Sequence, residues 1–397
     1  MNTATVTLYM PCWNGARYLR ETIPAALNQQ YPFARFLFIN DGSSDESEAI
    51  ARSYAGVTVI SHEKNRGLSA ARNTALAHTD TQYIAALDAD TVAAPDWLAI
   101  CMRTLHEMQV QGVGGFLQER HTATLPDQYR AEVMKQHHGP AAGKDLLIFG
   151  CNSLYHTETI RSLGGYNESL TTAFDDVDLH RRLLAAGYTT YYEPTARCEH
   201  LRKDTLQSVV DTAYRWRLPS YEAQEIFTSE QRLATKWTNE IRTTLKELQD
   251  CLSQDAPHWA LPMLYGLLSS IVHDLELRTK RRGDEASLKD FTVGFLAIIR
   301  AIHQTKTYPN LLKNTLTHYL TTRFGLHHAH TIEALLACAT TATTLETLYA
   351  FTNHNTNALT PYIELCLWQL SLGIELPPAL IDALEHGCSR VTREDAR

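Results

Sequence analysis

The first 120 residues alternate between two hydrophobic periods. The runs "VTLYM" (6–10), "FLFIND" (36–41), "VTVISH" (57–62), "YIAALDAD" (83–90) and "GVGGFLQE" (112–119) are short, apolar and β-rich. Between them lie segments with helical spacing. Leu19, Ile23 and Leu27 share a face in "ARYLRETIPAALNQQ" (16–30), and "LSAARNTALAH" (68–78) follows the third strand. "SDESEAIARSY" (44–54) opens on the cap-forming Ser44, Asp45, Ser47 and Glu48, and Pro95 suits the first turn of "PDWLAICMRTLHEM" (95–108). Such a βαβ series predicts an α/β core, a parallel sheet with helices on both faces.

Beyond about residue 226 the pattern becomes helical throughout. Trp237, Ile241, Leu245, Leu248 and Leu252 form one stripe. Phe291, Phe295, Ile298 and Ile302 form a second, and Leu312, Leu316 and Leu320 a third. The chain is therefore expected to divide into an α/β domain at 1–225 and an all-helical domain at 226–397, the latter serving acceptor recognition or oligomerisation. The best apolar runs, at 260–272 and 291–302, fall short of the ~20 residues that span a bilayer, so any membrane contact is expected to be peripheral. Arg278, Lys280, Arg281 and Arg282 could touch anionic headgroups, but Asp284 and Glu285 follow at once, as in a solvated loop.

Composition narrows the class. With 44% hydrophobic and 20% charged residues the 397-residue chain is an ordinary globular protein. A net charge of −8 argues against an electrostatic footprint for nucleic acid and suits carboxylates gathered around a divalent cation. The N-terminus lacks signal-peptide features, and the eight cysteines are scattered without a C-x-x-C pair. Reduced thiols in a cytoplasmic protein are the expectation.

In an open α/β sheet, ligands bind beyond the carboxyl ends of the strands. "PCWNG" (11–15), "NDGSSD" (40–45) and "LDADT" (87–91) all end strands there. Asp41 could accept from a base N–H. Asp88 and Asp90, alternate residues of a strand, would point together, and two hard oxygen ligands suit Mg²⁺ or Mn²⁺ beside substrate phosphates. "FDDVDLHRRL" (174–183) adds Asp175, Asp176 and Asp178 at a helix start, where acidic residues stabilise the helix by ~0.3–1 kcal/mol each or, alternatively, take a proton.

The ordered set "PCWNG", "NDGSSD", "NRGLSAARNTAL" (65–76), "ALDADT" and "FDDVDLHRRLLAAGY" (174–188) resembles the family 2 glycosyltransferases, from residue 5 to about 218. The resemblance implies a GT-A nucleotide-sugar-binding domain and inverting transfer from a nucleotide diphosphate sugar, UDP first. The acceptor would be a hydroxyl on a glycan, glycolipid or protein, and the sugar a hexose or N-acetylhexosamine. It implies Pro11 and Trp13 walling the base, Asp41 on the base, Asp88 on ribose or metal, Asp90 on the metal and Arg72 near the nucleotide. Asp176 would be the general base, supported by Asp175, which stands where the family usually has Glu; Asp178 would be structural. Gly150 and Asn152, in "GCNSLYHTETIRSLGGYNESL" (150–170), would line the acceptor side. In "YYEPTARCEHLRKDT" (191–205), His200 would complete the cation's shell while Arg202 and Lys203 clamp the diphosphate.

"TAYRWRL" (212–218) is similar to the Q-x-x-R-W of processive relatives, but Thr212 replaces the Gln, so a polysaccharide-extruding polymerase is not expected. Two other classes compete. A sugar nucleotidyltransferase needs a Gly-rich, basic first loop, and "MPCWNGARYL" offers one Gly and no Lys. A non-catalytic nucleotide-sugar scaffold would not need the carboxylates that are all present.

Overall fold

The computed structural model describes residues 6–170 and 173–229, with scattered helical positions between 232 and 277. The residues of all three predicted stripes, at 237–252, 291–302 and 312–320, and the basic run at 278–285 lie outside the described residues. The chain forms two units, Met1–Pro219 and Ser220–Arg397.

The first unit begins as the periodicity predicts. Strand β1 (Val6–Cys12) leads to helix α1 (Ala16–Leu27), β2 (Arg35–Asn40), α2 (Ser47–Arg52), β3 (Val57–Ser61), α3 (Leu68–Ala77) and β4 (Tyr83–Leu87). These four strands are parallel, in the order β3-β2-β1-β4. Then come β5 (Thr91–Ala93), α4 (Trp97–Met108), β6 (Gly112–Glu119), α5 (Leu125–Val133), β7 (Gly143–Lys144), β8 (Asn152–His156) and α6 (Thr157–Ser162). The unit continues with α7 (Asp175–Ala185), β9 (Thr190–His200) and α8 (Leu206–Ala223), whose last turn enters the second unit.

The sheet is mixed, which corrects the all-parallel expectation. β8 runs antiparallel to both β4 and β6, while β9 is parallel to β6 and antiparallel to β5 and β7. β5, β7, β8 and β9 escaped the periodicity because two are very short and the other two sit in segments that the motifs dominated. A second correction concerns "YIAALDAD": β4 stops at Leu87, and Asp88 to Asp90 form a turn in which the Thr91 N–H reaches the Asp88 carbonyl at 3.0 Å.

Alternation along the strands divides the core in two. Leu8, Met10, Phe36, Phe38, Ala85 and Leu87 face α1 and α4 through Leu19, Ile23, Trp97 and Leu98. Tyr9, Leu37, Ile39, Ile84 and Ala86 face the opposite way, onto Ala71, Ala75 and Leu76 of α3 and Leu179 and Leu183 of α7. Each fully buried Leu or Phe contributes ~1.5–3 kcal/mol, so this pattern fixes α3 and α7 side by side on one face. Among the described residues no helix is long and apolar enough to cross a membrane.

Candidate active site

Strand pairing brings distant carboxylates together. Leu87 pairs with Asn152, and the Asp88 N–H donates to the Cys151 carbonyl at 3.3 Å, which sets Asp88 beside Gly150. Thr91 pairs with His200, and the Leu201 N–H donates to the Asp90 carbonyl at 2.8 Å, which sets Asp90 beside His200. Asp88 and Asp90 thus face one cavity because a turn and two antiparallel pairings aim them, not because they alternate along a strand. The cavity has a volume of about 320 Å³. Its lining includes Asp88, Asp90, Gly150, Asp175, Asp176, His200 and Arg202, all expected site residues, together with Arg72.

Asp176 is half-buried in the first turn of α7. Its Oδ2 accepts the Gly150 N–H at 3.2 Å and its Oδ1 the Val177 N–H at 2.8 Å. Burial, then the neighbouring Asp175 charge, pushes its carboxyl up to about 6, against the pull of the Gly150 N–H and Arg72. A carboxylate titrating there is poised to take a proton near neutrality. Asp175 is buried, its Oδ2 3.0 Å from Arg72 Nε in an ion-pair contact rather than an aligned hydrogen bond. Phe174, directly before them, holds φ at 75°, a strained value for an aromatic residue of the kind that collects at functional sites. Asp178 instead pairs with Arg182 at 2.7 Å, one turn on.

In the same lining, Asp90 Oδ2 lies 3.2 Å from His200 Nε2, and His200 Nδ1 lies 2.9 Å from Glu119. Burial opposes charge on both residues but loses. The His200 charge and hydrogen bond hold Asp90 down at about 2, while Asp90 and then Glu119 lift His200 to about 9. Burial raises Asp88 to about 6 despite Arg72. Glu119, at the end of β6, was not singled out from sequence; a charged residue closing an otherwise buried strand is the signal that could have flagged it. Among the described residues no three His, Cys, Asp or Glu side chains stand in a ready-made ligand arrangement. The donor set nonetheless fits a divalent cation. A carboxylate on Nδ1 that leaves Nε2 facing a second carboxylate is how a metal-ligating histidine is oriented, and Asp88 and Asp90 supply hard oxygens.

The remaining expected residues fall in other places. Asp41 lies off the cavity lining: its buried carboxylate accepts the Arg66 N–H at 2.8 Å and the Gly67 N–H at 2.9 Å, and meets His62 Nδ1 at 2.6 Å. It pins the 62–67 loop, and Gly42 beside it (φ +67°) has no room for a Cβ, which would fall 2.3 Å from the Lys64 carbonyl carbon. Pro11 is buried within β1 opposite Ile39, whereas Trp13 is 59% exposed, so it is not core packing. Arg72 is no surface helix residue; it is fully buried. Lys203 is exposed and away from the cavity, while Arg202 lines it, bonded to Asp204 and Thr212. Asn152, expected on the acceptor side, is 1% exposed in β8, and its Oδ1 accepts the Trp97 indole N–H at 2.5 Å. Arg130, Gln136, Phe149, Thr212 and Trp216, on elements whose side chains carried no motif or only part of one, are also part of the lining. Arg130 pairs with the buried Asp204.

Residues 7–159 match the family model described as glycosyl transferase family 2. An uncharacterized glycosyltransferase of Rickettsia prowazekii is 30% identical over 179 residues, 43% of this chain and 56% of that protein. The pre-mycofactocin glycosyltransferase of Mycobacterium tuberculosis is 26% identical over 211 residues, 51% of this chain and 44% of its own. The poly-beta-1,6-N-acetyl-D-glucosamine synthase of Staphylococcus aureus is 23% identical over 227 residues, 55% of each. The chain spans about half the length of these curated relatives. Residues 7–159 thus resemble the glycosyl transferase family 2 domain, and in this structure they form much of the mixed sheet that carries the acidic cavity at its strand ends.

Proposed function

We propose that the N-terminal unit transfers a hexosyl or N-acetylhexosaminyl group from a nucleotide diphosphate sugar, UDP-linked first, to an acceptor hydroxyl with inversion. The observation that carries this reading is the pairing, across one cavity, of Asp176 near pH 6 with the Asp88, Asp90 and His200 set. Asp176 takes the proton of the acceptor hydroxyl as its oxygen attacks the anomeric carbon and the bond to the diphosphate breaks. One base on one face gives direct displacement, hence inversion. Asp88, Asp90 and His200 would hold Mn²⁺ or Mg²⁺, which when bound supplies Lewis-acid stabilisation of the leaving diphosphate. Arg202 adds a cation on the same wall, and Trp13 offers an exposed face for the base. The acceptor, a glycan, glycolipid or protein, enters past Phe149, Phe174 and Trp216. The Ser220–Arg397 unit is assigned to acceptor selection or self-association.

Calorimetry with UDP, GDP, dTDP and CDP, each with Mn²⁺ and with EDTA, tests the reading. Metal-dependent binding of one nucleotide is expected; absence of such binding for all four would overturn it.

A further inference from the structure

Arg72 is among the largest side chains buried in the protein, at 1% exposure on a helix whose neighbours Ala70, Ala71 and Ala75 let α3 approach the sheet closely. Its guanidinium faces three directions. Nη1 donates to the Gly150 carbonyl at 2.7 Å, Nη2 to Asp88 Oδ1 at 3.1 Å, and Nε stands 3.0 Å from Asp175 Oδ2. Tyr9 Oη lies a further 3.4 Å from Nη1, and the Tyr166 ring lies under the group. Only a planar, permanently charged fork meets acceptors placed this way; a Lys ammonium is a single point with no fixed fan.

These partners come from three separate segments of the chain. Asp88 lies in the turn after β4, and Asp175 adjoins the proposed base at the start of α7. Gly150 joins both, since its carbonyl takes Arg72 while its N–H donates to Asp176. A Cβ at Gly150 would fall 2.6 Å from Arg72 Nη2, so the chain there closes directly on the guanidinium. The first turn of α7 also starts from the strained Phe174 backbone, a conformation that persists only when its surroundings hold it.

Resting on the function proposed above, we infer that Arg72 is a positioning residue that locks the first turn of α7, and with it Asp176, to the Asp88 turn, rather than a contact to the nucleotide. The Asp88 turn and the base then keep one separation, which in-line displacement requires. Asp175, with its short side chain, is met by an arginine that reaches it from α3. Among the described residues, Asp175, Arg72, Tyr155 and Cys151 interact with Asp176, and Arg72 is a cation in that group.

The test is a double-mutant cycle on the full chain with Arg72→Gln and Asp175→Asn. Release of UDP from UDP-glucose and UDP-N-acetylglucosamine is followed across pH, together with hydrogen exchange of peptides covering 86–92 and 174–185. Arg72→Gln should lower kcat about 10²-fold, the scale of a small misplacement of reacting groups, with donor KM within about threefold. The acid limb should move to higher pH, and Arg72→Lys, which keeps the charge, should return that limb without restoring kcat. The double variant should be no worse than Arg72→Gln, and both peptides should lose protection in Arg72→Gln. Losses that multiply in the double variant, or a KM rise above tenfold with kcat intact, would overturn the inference. So would unchanged protection at 174–185. If Arg72→Gln does not fold, Arg72→Lys with Asp175→Asn runs the same cycle. A wild-type chain that releases no UDP from either donor and binds no nucleotide sinks the proposed function alone; the exchange data still decide what Arg72 holds.

Discussion

The Gly150 N–H donates to Asp176 Oδ2 at 3.2 Å, so the carboxylate proposed as base is aimed by a backbone group, not by a mobile side chain. That bond leaves the carboxylate half-exposed toward the cavity while burial raises its proton affinity. Replacing Asp176 by Asn keeps the shape and removes the proton acceptor. Release of nucleoside diphosphate in the presence of acceptor should fall by about 10²–10⁴-fold, the usual contribution of a positioned base. Calorimetric affinity for the nucleotide should stay within a few-fold; a matching loss of binding would mean that Asp176 serves the donor instead.

The sign of the pH dependence follows from the same group. Asp176 must be ionised to accept a proton, and its carboxyl sits at about 6. Below that pH the rate should drop about tenfold per unit, and above it the rate should level off. Asp175→Asn removes the neighbouring charge that, after burial, raises Asp176, so the limb should move to lower pH. A limb that stays fixed in that variant would assign it to another group.

Much of this was legible in the sequence because five motifs end or follow strands, and an α/β sheet gathers such ends. The positions of Asp88, Asp90, Asp175, Asp176 and His200 could be listed without coordinates. Their geometry could not. Asp88 and Asp90 converge through a turn plus the pairings of β4 with β8 and β5 with β9, long-range events that no local period encodes. The orientation of Asn152 was hidden for a related reason: a polar residue close to the cavity-lining Gly150 points into the cavity or behind it depending on one step of strand alternation. Asp41 illustrates a third limit, since a carboxylate at a strand end serves a loop's N–H groups as readily as a ligand's.

Glu119 supports His200 through Nδ1 at 2.9 Å, and this bond decides which ring nitrogen faces Asp90. Glu119→Gln should weaken Mn²⁺ binding by about 10–100-fold, the cost typical of losing such a supporting group. Metal titration in the presence of UDP measures it directly. Unchanged affinity would remove His200 from the ligand set, since its orientation would not matter.

Asn152 and Trp97 make a buried hydrogen bond at 2.5 Å behind the cavity. Asn152→Ala leaves the indole N–H without an acceptor, a loss of about 1–3 kcal/mol in urea unfolding. Donor affinity of the folded variant should remain unchanged. The opposite result, unaltered stability with impaired turnover, would return Asn152 to the acceptor side.

Trp13 is 59% exposed at the end of β1, on the loop where the Asn14 and Gly15 N–H groups donate to Ser43 and Ser47. Those bonds fix the loop without using the indole, so the ring carries little of the fold's stability. If it stacks on the donor's base, Trp13→Ala forfeits a contact of about 1–3 kcal/mol, the value of a base–aromatic stack. Nucleotide affinity should then fall about tenfold, equivalent to ~1.4 kcal/mol, with the unfolding midpoint unmoved. Trp13→Phe should recover most of it, because stacking needs a flat ring rather than an indole N–H. Equal affinity in wild type and Trp13→Ala would take the base away from this indole and leave the cavity residues as the main source of donor binding.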